Sequence, residues 1–170
     1  TAAWLRAPLP HVWLGASVED QATANARLPA LLATPAARHW ASVEPLLGAI
    51  DLTDIVVREG GGEWHFDALS CDVEPEDDGA FCGRSLSWVI VGGESGPRRR
   101  ECDLGALEAV ARDAVVRGVP VWVKQDSAPR SGAQGRIPDY VWTLKQRPPL
   151  HVPACDASLP LLAHAKGGAP

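Results

Sequence analysis

The sequence predicts an α/β protein of parallel β/α units, a partial (half) TIM-type barrel with four main strands and an irregular insertion. Three observations predict it. Four short apolar runs, Val12–Glu19, His39–Glu44, Trp88–Glu94 and Val119–Lys124, each end in a charge. Each run carries a tryptophan (Trp13, Trp40, Trp88 or Trp122) at an even offset from that charge, and strand side chains two apart share a face. Helical patterns separate the first run from the second and the third from the fourth, and such alternation implies parallel pairing through right-handed crossovers.

In the first run Val12, Leu14, Ala16 and Val18 form an aliphatic face opposite Trp13, Ser17 and Glu19. Asp20 suits an N-cap, and Pro29 is expected to break the helix that follows into two pieces, with Leu31 and Leu32 facing inward. Pro45 ends the second run, and residues 46–53 read as a loop or short turn around Leu46, Leu47, Ile50 and Leu52. From 53 to 87 no periodicity is sustained. Gly60, Gly61 and Gly62 and the acidic stretch 72–78 suggest a surface insertion there, with a hairpin and partly mobile. Asp103 is the expected cap of the second helix, whose inward stripe is Leu104, Leu107, Ala111, Ala114 and Val115, with Glu108 and Arg112 paired outside. Gly118 and Pro120 stop that helix. Residues 126–136 read as loop. The domain is expected to span 1–147, followed by a poorly ordered tail over 148–170.

With 170 residues, 46% hydrophobic and 22% charged, the chain suits one soluble domain with a core. No run reaches the length of a membrane span and no secretion segment precedes it, so no membrane partner and a cytoplasmic location are expected. The net charge of −5 argues against a non-specific nucleic-acid binder, yet Arg98, Arg99 and Arg100 are consecutive, so nucleic acid stays open as a partner. That triplet reads first as a solvated loop and second as a phosphate clamp. Methionine is absent even at position 1, which points to a processed protein or a fragment. Cys71, Cys82, Cys102 and Cys155 form no C-x2-C pair, and the five histidines show no ligand spacing, so free thiols are expected and no metal ligand is assigned.

In parallel sheets ligands collect at the C-terminal ends of the strands, because loops and helix N-termini converge there. The tripeptide Ser-Val-Glu occurs at two of those ends and places Ser17, Glu19, Ser42 and Glu44 on the front face. Paired carboxylates at one mouth can act as acid and base, bind a cation, or grip an amine and ribose hydroxyls; they can also be structural, one simply pairing with Lys124. Gly92, Gly93, Glu94 and Ser95 follow the third strand, where glycines let a ligand approach the backbone or merely make a tight turn with a capping serine. Lys124 and Gln125 close the fourth, the lysine suited to an anionic ligand or to an ion pair with the glutamates.

The stretches Val12 to Gln21, Ser42 to Gly48, Trp88 to Pro97 and Val123 to Gln125, with Gly135 to Asp139 and Trp142, resemble a phage gene-product family of uncharacterised radical-SAM-like proteins, a domain of unknown function. The resemblance runs from about Pro10 to Pro148. It implies an α/β barrel with S-adenosylmethionine and a four-iron cluster at the strand mouths, lined here by Glu19, Glu44, Gly92, Gly93, Glu94 and Lys124. The family's cluster motif, of C-x3-C-x2-C type, is absent from this chain. The resulting expectation is the C-terminal portion of such a barrel, inactive alone, with a missing N-terminal half as partner and an unknown small-molecule substrate. The alternative is a half-barrel binding module that self-associates and takes a nucleotide-like or anionic ligand.

Overall fold

The computed structural model describes residues 8–70 and 85–149. The expectations for the acidic stretch 72–78, for Cys71, Cys82 and Cys155, and for the tail beyond 149 lie outside the described residues. In chain order the described elements are β1 (Trp13–Ser17), α1 (Gln21–Ala33), β2 (Arg38–Val43), β3 (Ile55–Glu59), β4 (Gly62–Phe66), β5 (Leu86–Gly92), α2 (Leu104–Val116), β6 (Val121–Gln125) and α3 (Asp139–Trp142). β1, β2, β5 and β6 form one parallel sheet in that spatial order. The mixed α/β class and its four main parallel strands agree with the sequence.

The sheet has two unlike faces because valine and alanine alternate with larger or polar residues. Ala41, Val43, Val89, Val91, Val121 and Val123 are buried on the back, where α1 and α2 pack. Burying one aliphatic side chain contributes about 1.5–3 kcal/mol, so this face holds the sheet together. Trp13, Trp40, Trp88, Ile90 and Trp122 lie on the front and are only half-buried. Strand register stacks them in layers: Gly15 beside Trp40 beside Trp88, then Ser17, Ser42, Ile90 and Trp122 one step nearer the strand ends.

Helix α1 begins with a capping box in which the Asp20 carboxylate accepts from Thr23 N at 2.8 Å and Thr23 Oγ1 accepts from Asp20 N at 3.0 Å. It then runs unbroken through Pro29, contrary to the expected two pieces. An interior proline costs a helix about 3 kcal/mol. Leu28, Leu31 and Leu32 flank Pro29 and are all buried, and their burial offsets that cost. In α2 the buried residues are Ala106, Leu107, Val110, Ala111 and Ala114, so the stripe is rotated from the expected one and Val115 is exposed. The Glu108–Arg112 pair does not form either. Glu108 accepts from the Tyr140 hydroxyl at 2.6 Å, and Arg112 pairs with Asp113 at 3.0 Å.

The first part of the supposed insertion is integral to the fold. β3 and β4 form an antiparallel hairpin joined by Gly60 and Gly61, both at positive φ, as a tight two-residue turn requires. Ile55, Ala68 and Leu69 join the core, and Leu86 N donates to Ala68 O at 2.8 Å, tying the hairpin to β5. Period-two alternation over a five-residue strand, broken by three glycines, is too short a signal to separate from loop. On the hairpin surface His65 Nδ1 lies 2.5 Å from Asp54, and that hydrogen bond raises the histidine's pKa above its usual value. A raised folded-state pKa stabilises below the unfolded value and the gain is lost as pH rises through the folded one. Amide exchange across β3 and β4 should therefore quicken from mildly acidic to alkaline pH beyond its intrinsic base catalysis, and His65→Asn should remove that excess.

The two sheet edges differ. Along the outer edge of β6, Val123 N donates to Leu144 O and Gln146 N to Val121 O, each at 2.8 Å, so the segment after α3 covers it in antiparallel fashion. Beside β1 no strand lies among the described residues, and Arg27 Nη1 donates to Ser17 O at 2.6 Å. No helix among the described residues is long and apolar enough to cross a membrane.

Candidate functional site

The three glutamates stand at the ends of adjacent strands, as the alternation predicts, and each is met by a cation. Glu19 pairs with Arg27 at 2.9 Å, toward the open edge of β1. Glu44 pairs with Lys124 at 2.7 Å. These two residues belong to β2 and β6 ends, so the bridge crosses β5 at Gly92, where no side chain intervenes. Glu94 receives the Arg100 guanidinium at 2.8 and 3.2 Å and the Arg100 backbone N–H at 2.9 Å. The guanidinium first, then that N–H, hold its carboxyl down to about 2.

The glycine turn is occupied by the protein itself. Gly93 N donates to Gln125 O at 2.8 Å, and the buried Gln125 side chain donates back to Gly93 O at 2.8 Å while accepting from Gly132 N at 2.8 Å. Gln125 is thus a strut between loops, turned away from the front face that Lys124 occupies. Ser95 is exposed and bridges to Ala128, which fastens the loop after β5 to the loop after β6. Ser17 is exposed and Ser42 half-buried, side by side one layer below the rim.

Beneath the rim the tryptophans make a floor. Trp40 and Trp88 have centroids 6.0 Å apart, and Trp13 meets Trp88 edge-on at 6.4 Å. Gly15 lets Trp40 lie across β1, since a Cβ there would sit 2.1 Å from Trp40 Cε2. Cations cover the other rings: Arg38 over Trp13 at 5.0 Å, Arg147 over Trp122 at 4.8 Å and Lys145 over Trp142 at 3.1 Å. Burial lowers the Lys145 pKa from its usual value.

One pair was not singled out from the sequence. Asp126, at the end of β6 and 1% exposed, receives Arg136 Nη2 and Nε at 2.9 Å each and Arg136 N at 2.8 Å. Burial opposes its charge, but the hydrogen bonds from Arg136 and then Ser127 outweigh it and lower its pKa. The signal was present in Lys124-Gln125-Asp126, a third polar residue at a strand end, and in Gly135 just before Arg136.

The family described as "Protein of unknown function (DUF5131)" matches residues 1–139. The chain belongs to this family. No curated protein and no solved structure matches it. The DUF5131 match spans the whole rim, from Glu19 to Arg136, and the tryptophan floor from Trp13 to Trp122.

Proposed function

We propose that this chain is the C-terminal portion of a radical-SAM-like partial barrel, whose front face and strand ends bind S-adenosylmethionine beside a substrate. The observation that carries it is the Glu44–Lys124 bridge. The carboxylate is shielded and the ammonium half-exposed, at the centre of the rim and above an aromatic floor. A zwitterionic amino-acid group exchanges well with such a pair, its ammonium replacing Lys124 on Glu44 and its carboxylate replacing Glu44 on Lys124. The Ser17 and Ser42 hydroxyls and the tryptophan rings suit a ribose and a purine.

The strand order supports the barrel reading. Successive parallel strands lie side by side, and the covered outer edge of β6 leaves β1 as the side where further strands, or a second copy of the chain, add. A four-iron cluster does not fit the described residues. They contain no group of three or more His, Cys, Asp or Glu side chains placed to hold a metal, and burial pushes the Cys102 thiol up to about 11. Cluster ligands would have to come from another segment or chain.

Calorimetric titration with S-adenosylmethionine and with S-adenosylhomocysteine, read alongside tryptophan fluorescence, tests the reading. Both should bind, since both carry the amino-acid and nucleoside parts. Glu44→Gln or Lys124→Met should each weaken binding by about tenfold or more, the worth of one hydrogen bond to a charged group. Absence of heat and quenching with the wild-type chain, or unchanged affinity in both variants, overturns it.

A further inference from the structure

We infer that the rim made by the loops after β5 and β6 docks the phosphate backbone of single-stranded nucleic acid. This goes beyond the cofactor reading and needs no S-adenosylmethionine. At the strand mouths the carboxylates are already committed: Glu19, Glu44 and Glu94 to Arg27, Lys124 and Arg100, and Asp126 and Glu101 to Arg136. Asp20 and Asp103 cap the two long helices. Counted together, these seven carboxylates are matched by seven cations, of which Arg98, Arg99 and Arg130 stand apart from the ion pairs. Arg98 and Arg130 are exposed and make no ion pair or hydrogen bond among the described residues, and exposed Arg99 touches only Gly96 O, at 3.3 Å. On a chain of net charge −5 these three arginines are a local cluster, unpaired among the described residues.

These arginines sit on loops that are fastened together. Gly96 N donates to Ala128 O at 3.0 Å, Ser127 Oγ to Arg100 O at 2.7 Å, and Arg136 Nη2 to Cys102 O at 3.2 Å. A rigid base lowers the ordering cost of binding. The arrangement favours a polymer over a small phosphate. A single phosphate is usually caged by free backbone N–H groups at a helix N-terminus. Here both such positions are filled, with Asp103 accepting from Gly105 N at 2.9 Å and Ala106 N at 3.1 Å and Asp20 accepting from Thr23 N. Three guanidiniums spread over two loops match successive phosphates, and guanidinium forks pair with phosphate oxygens in two-point fashion. Half-exposed Trp40 and Trp88, at the front of the same sheet and without a cation over their rings among the described residues, give unstacked bases an aromatic surface.

Fluorescence anisotropy of a labelled oligouridine, titrated with the full chain at several salt concentrations, tests this. The wild type should bind with an affinity that falls with salt. The triple variant Arg98→Ala, Arg99→Ala, Arg130→Ala should bind at least about tenfold more weakly at low salt, and its salt slope should be shallower by about 2, the counterions of three contacts on a single strand. Circular dichroism of that variant should match the wild type, because among the described residues these side chains make no hydrogen bond or ion pair beyond Arg99 to Gly96. No binding by the wild type, or equal binding and slope in the triple variant, overturns the inference. Oligonucleotide binding without S-adenosylmethionine binding would sink the cofactor reading and leave this one standing, and the converse would do the opposite.

Discussion

Replacing Arg136 with methionine should destabilise the protein by about 3 kcal/mol, because it strands a buried carboxylate. The Asp126 side chain is 2% exposed and the Arg136 side chain 46%. Solvent therefore shares the arginine but does not reach the aspartate. With the guanidinium gone, Asp126 keeps two backbone donors, Arg136 N at 2.8 Å and Ser127 N at 2.6 Å, and no opposite charge. Breaking one side of a buried pair typically costs about 3–5 kcal/mol, and the open arginine end places this case low in that range. The pH dependence separates this cause from lost packing. Asp126 has a lowered pKa in the wild type, so its contribution is present above the unfolded carboxyl range and is lost as pH falls through the folded value. In Arg136→Met the carboxyl pKa rises, so the gap between variant and wild type should be widest at neutral pH and narrow on acidification. Urea unfolding at neutral and mildly acidic pH checks both. A constant gap across pH would assign the loss to packing along the arginine stem.

The faces of the strands were legible in the sequence because two-residue alternation is a local property of the backbone. Trp13, Trp40, Trp88 and Trp122 all lie on the front as expected, and Asp20 and Asp103 both cap helices, since a cap needs only the next few residues. What escaped was set by tertiary packing. Pro29 reads as a break until Leu28, Leu31 and Leu32 are known to be buried together. The stripe of α2 differs from the expected one at its edge: Val110 and Val115 are equally apolar, and only the position of the sheet decides which is buried. At the rim the residue types were visible but not their partners. Glu44 to Lys124 spans three strands, Asp126 to Arg136 spans a loop, and Glu108 turned to Tyr140 rather than to its helical neighbour. The acidic gathering that the strand ends suggested is therefore a set of ion pairs, and the arginines outside those pairs at the rim are Arg98, Arg99 and Arg130.

Gly93→Ala should be as damaging as the loss of Arg136, about 3 kcal/mol or more, although it adds a single methyl group. A Cβ at Gly93 would lie 2.7 Å from Ser127 N, 2.7 Å from Ser127 Oγ and 2.9 Å from Cys102 Cβ. Carbon atoms in contact normally stand about 3.5–4.0 Å apart, so these neighbours must retreat by most of an ångström. A flexible side chain could swing aside, but Ser127 N is backbone and is itself held by Asp126 Oδ1 at 2.6 Å. The glycine is also tied on both sides, its N–H to Gln125 O and its carbonyl to Gln125 Nε2, each at 2.8 Å. Relief therefore has to come from separating the loops after β5 and β6, which breaks the fastening that carries Arg98, Arg99 and Arg130. Two readouts should move together in Gly93→Ala: a lower melting temperature, and a weaker grip on oligouridine even at temperatures where the chain is folded. Gly61→Ala, in the hairpin turn with nothing within 4 Å of its added methyl, is the control: its positive φ of 85° should cost some stability and leave binding alone. If Gly93→Ala melts early yet binds as the wild type does while folded, the close approach at Gly93 serves the fold and does not position the arginines.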